Sequence, residues 1–116
     1  MAYDIQLADR IREALKEQPA VTEQKMFQGL CFMVDDKMCI CVRNEEVLCR
    51  IGEEQAIAEL EKDHCRQMIH NGKPMKDYVF VEDIHIKTAK GLQYWLSLCL
   101  QFNKQARSSK KRKKDK

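Results

Sequence analysis

The chain lacks any apolar run near the roughly 18 residues that a membrane-spanning helix needs. Its N-terminus, Met1-Ala2-Tyr3-Asp4, has no basic stretch followed by an apolar one, so nothing there resembles a secretory signal. It has no internal repeat. Its four glycines, Gly29, Gly52, Gly72 and Gly91, stand alone, which excludes a glycine-rich cofactor loop. No Ser or Cys sits in a nucleophile-elbow or triad-like context. His64, His70 and His85 follow no recognised ligand spacing. These absences argue against an enzyme of a familiar motif class and for a cytoplasmic protein. In that compartment Cys31, Cys39, Cys41, Cys49, Cys65 and Cys99 are expected to be reduced thiols.

What is present suits one domain. The 116 residues allow a single modest core. The net charge of +3 is unevenly spread. Residues 107–116 hold seven basic side chains and one acidic, so the remaining 106 residues carry −3. The body, residues 1–106, is therefore no electrostatic footprint for DNA. Residues 107–116 are expected to form a disordered basic tail, because nothing apolar remains there and like charges repel.

Residues 4–17 have the pattern of an amphipathic helix, with Asp4 as N-cap and Leu7, Ile11 and Leu15 recurring at helical spacing. Pro19 closes the element. A short edge strand is expected at 24–28. Strands 30–34 and 37–43 flank Asp35-Asp36, a two-residue turn. Asn44-Glu45 turns the chain into strand 46–51. With those turns, Cys31, Met33, Met38, Ile40, Val42, Val47, Cys49 and Ile51 share a face that should meet the helices. Phe32, Lys37, Cys39, Cys41, Arg43, Glu46, Leu48 and Arg50 share the other, which should be partly solvated. A second helix is expected over 53–63, with Ala56, Ile57 and Leu60 inward and Glu53, Glu54, Glu59 and Glu61 outward. A short strand at 66–69, a turn at Asn71-Gly72 and a strand at 78–82 follow. Residues 88–106 form the longest helix, capped by Thr88, with Leu92, Trp95, Leu96, Cys99 and Leu100 as its stripe. The fold class is α+β: a mainly antiparallel sheet, a meander plus one or two further strands, packed with three helices.

Two runs carry a resemblance. Lys25-Met26-Phe27-Gln28-Gly29-Leu30-Cys31-Phe32-Met33 is similar to the opening of the first hairpin in the TfoX/Sxy N-terminal domain family. Gly72-Lys73-Pro74-Met75-Lys76-Asp77-Tyr78-Val79 resembles that family's later Gly-x-Pro-Met-Lys-Gly-Tyr/Trp-Val run. Asp35-Asp36-Lys37-Met38 and Arg50-Ile51-Gly52 fit between them. Gln28, Asp36 and Asp77 stand where the family often has Gly. Family members that regulate natural competence also carry a C-terminal helical domain, so the resemblance implies a stand-alone N-terminal domain. It further suggests a non-enzymatic regulatory role exerted through a protein partner. The chain is expected to be a monomer, or a homodimer formed at an unpaired strand edge, since such edges invite pairing.

Three groups of residues compete with that reading. Cys39-x-Cys41 on a strand would share a face and offer two of the roughly four ligands zinc wants, or a thiol reaction centre. His64 and Cys65, after the second helix, could approach that pair; the alternative is thiol packing. Met26, Met33, Met38, Met68 and Met75 suit either an adaptable groove or an irregular core. Arg43, Arg50, Lys25, Lys73 and Lys76 would make a positive rim if their elements adjoin. Lys110, Lys111, Arg112, Lys113 and Lys114 suit weak, salt-sensitive contact with nucleic acid, or with anionic lipid, or simple solubilisation. No cofactor is expected.

Overall fold

A computed structural model describes residues 3–18, 20–26, 28–62 and 65–105. The elements, in chain order, are α1 (Ile5–Ala14), β1 (Val21–Met26), β2 (Gly29–Val34), β3 (Lys37–Val42), β4 (Glu46–Arg50), α2 (Glu53–Leu60), β5 (Cys65–His70), β6 (Lys73–Glu82), a 3₁₀ turn at Asp83–His85 and α3 (Ala89–Asn103). The six strands form one wholly antiparallel sheet in the order β1-β2-β3-β4-β6-β5. With three helices this is the expected α+β class. The helices end sooner than their apolar stripes suggest, and β1 and β6 begin earlier than expected. Pro19 lies outside the described residues.

Local chemistry sets the boundaries. Asp4 Oδ1 accepts from Leu7 N at 3.1 Å and caps α1; Thr88 Oγ1 accepts from Gly91 N at 2.9 Å and caps α3. Asp35 (φ 57°) and Asp36 (φ 63°) both take left-handed conformations, as do Asn71 (φ 54°) and Gly72 (φ 78°). Each pair closes a two-residue hairpin of the type whose twist matches the flanking strands. Gln28, in a position the related family often gives to glycine, also sits at φ 61°, whereas Asp77 has no positive φ.

The three helices cover one face. Leu7, Ile11 and Leu15 of the α1 segment, Ala56 of α2 and Leu92, Trp95, Leu96 and Cys99 of α3 pack there against Leu30, Phe32, Ile40, Val42, Val47 and Val79. Asn103 Nδ2 donates to Val34 O at 3.2 Å and ties the end of α3 to β2.

The expected face assignment fails in β2 and the start of β3. Phe32 pairs with Ile40 but Met33 pairs with Met38, which leaves Cys39 as an extra, unopposed residue. Such a bulge shifts parity by one. Phe32 and Cys39 therefore join the helix-facing core, while Cys31, Met33 and Met38 turn to the outer face beside Cys41 and Leu48. Ile40, Val42, Val47, Cys49 and Ile51, with Cys41 and Leu48 opposite, lie as expected.

That outer face is buried rather than partly solvated, although no helix residue belongs to its cluster among the described residues. Cys31, Met33, Met38, Cys41, Leu48, Met68, Tyr78 and Phe80 form a second core, with Met26 and Met75 half-buried at its margin. The β5–β6 ribbon supplies the cover. Gln67 pairs with Val79, but the next residue, Met68, pairs with Met75, so Lys76, Asp77 and Tyr78 form a wide bulge in β6. This bend carries Met68 and Met75 over the outer face. Three backbone carbonyls at the bulge find donors. Gln67 Nε2 donates to Met75 O at 2.8 Å and to Tyr78 O at 3.3 Å. Asp77 O accepts from Ile51 N and Gly52 N at 2.9 and 3.0 Å. The five methionines singled out from the sequence are thus core material, the role their flexible side chains suit in an irregular interior.

Gln67→Ala removes the side-chain donor from two carbonyls in a half-buried bend. It should lower the unfolding free energy by about 1–3 kcal/mol, measured by urea titration, without changing the far-UV spectrum of the native protein.

Candidate functional site

The bulge at Cys39 separates the two cysteines that a metal or thiol centre would need together. Cys39 faces the helices and is in hydrogen-bond contact with the Cys99 thiol of α3, which in turn contacts Cys49 of β4. Cys41 faces the other way and contacts its cross-strand partner Cys31; both sulfurs lie 3.6 Å from Met26 O. All six cysteines are free, and five are buried. Neighbouring thiols and burial hold Cys31, Cys39 and Cys99 protonated. The Cys99 thiol and then desolvation push Cys39 far up; Cys41 and desolvation do the same to Cys31; desolvation comes first at Cys99 itself. Cys65 is half-exposed, and burial followed by the nearby Glu59 carboxylate pushes it up to about 11. Among the described residues, no group of three or more His, Cys, Asp or Glu is arranged to hold a metal ion. His64 lies outside the described residues.

The expected positive rim divides between the two ends of the sheet. Lys25 and Arg43 lie at the end where β3 turns into β4; Arg50, Lys73 and Lys76 lie at the opposite end. Neither arginine projects freely. Arg43 sits 4.9 Å from the Phe80 ring centroid and 3.3 Å from Glu46, and donates to Gln28 Oε1 at 3.1 Å. Arg66 of β5 meets the same ring at 4.8 Å and the same carboxylate at 2.6 Å. Glu46 is thus a shared counter-ion for two guanidiniums that cover one aromatic ring, an arrangement that closes one end of the outer core. Arg50 lies over Tyr78 at 5.5 Å and Phe102 at 5.6 Å, beside Asp77 at 3.9 Å. Lys25, Lys73 and Lys76 are exposed. Lys110, Lys111, Arg112, Lys113 and Lys114 lie outside the described residues.

Sequence reasoning missed a polar cluster built around one buried carboxylate. Glu59, expected to face outward from α2, is 0% exposed, while Ile57, expected inward, is 54% exposed. The helix rolls so that Ala56, Glu59 and Leu60 form its inner stripe. Burial of a carboxylate demands partners. Tyr94 of α3 donates a short hydrogen bond to Glu59 Oε2, Gln55 Nε2 donates to it at 3.1 Å, and Lys62 Nζ lies 3.4 Å away. That carboxylate pushes the Tyr94 phenol upward, so Tyr94 stays a donor. The cluster clasps α2 to α3 and uses its own charges internally. Between α1 and α3 an apolar groove of about 330 Å³ has Ala14, Ala89, Leu92, Leu96 and Leu100 among its lining. No helix among the described residues is long and apolar enough to cross a membrane.

The family model of the TfoX N-terminal domain matches residues 13–103, from the end of α1 through α3. No curated protein and no solved structure matches the chain.

Native thiol reactivity should follow this geometry. At pH 8 a thiol with its pKa near 11 is roughly 0.1% thiolate, so Cys65 should alkylate first but slowly. The rate should climb about tenfold per pH unit up to that value. Cys31, Cys39, Cys41, Cys49 and Cys99 should react only on unfolding. Mass spectrometry of peptides after timed iodoacetamide exposure measures both.

Proposed function

The chain belongs to the TfoX N-terminal domain family, and from that premise we propose that it is a non-enzymatic regulatory domain that acts by contact with a protein partner. The observation that carries this reading is the disposition of its reactive groups. Cys39 and Cys41, the residues around which a thiol or metal chemistry would be built, point into two different buried cores, and Cys39 is held protonated by the Cys99 thiol and by burial. The buried carboxylate Glu59 already has an ammonium, a phenol and an amide around it. These groups stabilise packing. What the body offers to the outside is surface: an open strand edge at β1, an apolar groove and scattered lysines.

The basic tail adds a second, weaker handle. Lys110, Lys111, Arg112, Lys113 and Lys114 sit in a ten-residue segment of net charge +6 attached to a body of net charge −3. Such a segment binds phosphate backbones by releasing counterions and carries no base selectivity. It has no interleaved aromatic residue for base stacking. In this reading the tail holds the domain near nucleic acid, as suits a regulator of transcription, while recognition belongs to the folded body and its protein partner.

Titration of the full chain, and of the chain without residues 107–116, with generic duplex DNA tests the division of labour. The full chain should bind weakly, with a log–log salt slope of up to roughly −5, and truncation should abolish binding. Salt-resistant, sequence-selective binding by the truncated chain would make the body itself a nucleic-acid reader. Stoichiometric zinc in protein purified without chelator, lost in the Cys39→Ser, Cys41→Ser double variant, would replace the contact reading with a metal one.

A further inference from the structure

We propose that two copies of this chain join edge to edge through β1, forming one continuous antiparallel sheet of twelve strands with all helices on the same side. The inference is independent of the regulatory reading. It begins with the two edges of the sheet, which are unlike. β5 is interrupted after Gln67 by the wide bulge opposite it, which leaves a short straight segment and blunts that edge. β1 is straight: its six residues pair with β2 without a register shift, from Val21↔Val34 to Met26↔Gly29.

The backbone of β1 has a definite outward side. Asp35 N donates to Ala20 O at 3.1 Å, one step beyond the Val21↔Val34 pair. Antiparallel ladders alternate hydrogen-bonded and non-hydrogen-bonded pairs. Thr22, Gln24 and Met26 therefore bond inward to β2, and Val21, Glu23 and Lys25 present their N–H and C=O groups outward. Among the described residues no backbone hydrogen bond reaches those groups.

The side chains then select the partner. Glu23 and Lys25 lie on the helix-facing side of β1, opposite Phe32 and Leu30. Arg12 of α1 holds the Glu23 carboxylate there with contacts of 2.6 and 3.0 Å, and Lys25 has no ion-pair partner among the described residues. A second β1 can add antiparallel with both sets of helices on one side in three central registers. Centring on Glu23 sets two carboxylates face to face. Centring on Lys25 sets two ammoniums face to face. Centring on Gln24 sets Glu23 against the second copy's Lys25 twice over, with the two Gln24 amides opposed on the other side. In this register, as in the other two, the outward groups of Glu23 and Lys25 fall into hydrogen-bonded pairs. Backbone pairing is available in all three registers, so charge decides: the strand is self-complementary in charge at the Gln24-centred alignment, and the neighbouring alignments repel.

Sedimentation equilibrium of the full chain from about 10 μM to 1 mM tests this. The wild-type chain should shift with concentration toward twice its 13.7 kDa mass. Lys25→Glu sets the new carboxylate against that of Glu23 in the other copy. Glu23→Lys sets the new ammonium against that of Lys25. Each should weaken association at least about tenfold. An equimolar mixture of the two variants restores opposite charges at every cross-strand pair and should dimerise again. Lys25→Pro removes an outward N–H without touching the ladder to β2 and should also give single chains. Thermal melts matching wild type establish that the variants fold. A wild-type chain that stays monomeric throughout the range, a dimer indifferent to these substitutions, or a mixture that fails to recover would overturn the proposal.

Discussion

A sheet with helices on only one side must find another way to cover its second face. Here the sheet covers itself. The three-residue bulge at Lys76–Tyr78 bends the β5–β6 ribbon so that Met68 and Met75 lie over Met33, Met38, Cys31 and Cys41. Everything on the outer side depends on that bend. Gln67 satisfies the Met75 and Tyr78 carbonyls, and the Asp77 carbonyl anchors the bend to the junction between β4 and α2. The arginine pair on Phe80, with Glu46 between them, closes the far end. The result is a small protein with two apolar layers, one on each side of a single sheet.

This arrangement explains how a chain with six cysteines and six methionines places most of them in its interior. Both residue types fill irregular volumes. A curled sheet with two bulges has such volumes on both faces. The thiols group by face, Cys31 with Cys41 outside and Cys39 with Cys49 and Cys99 inside, and neighbouring thiols and burial keep Cys31, Cys39 and Cys99 protonated. The polar groups that are buried are likewise committed to architecture. Glu59 clasps α2 to α3, and Asn103 links α3 to β2.

Much of this was legible in the amino-acid order. The Asp35-Asp36 and Asn71-Gly72 hairpins, the Asp4 and Thr88 caps, the apolar stripe of α3 and the antiparallel class follow from local rules that operate over a few residues. The two motifs that suggested the family are local in the same sense. The face of β2 was not legible, because Met38-Cys39-Ile40-Cys41-Val42 is apolar at every position and offers no alternation from which to detect an extra residue. The orientation of α2 failed for a related reason. Ile57 and Glu59 compete for the inward side, and the outcome is decided by Tyr94, 35 positions later in the chain. The candidate metal pair dissolved with the same bulge, since Cys39 and Cys41 share a face only in a strand that is perfectly regular.

The bend in β6 has a consequence for how such a chain can vary. One residue added to or lost from Lys76–Tyr78 would reverse the parity of either the ribbon or the strand beyond it, sending Met75 or Phe80 to the wrong layer. The tip at Asn71-Gly72 carries no such burden, since nothing lies within 4 Å of the position a Cβ would take on Gly72. Length should therefore be invariant at the bend and free at the tip, so that gaps in any set of relatives fall on the outer turn and never on the three residues that fold the sheet back on itself.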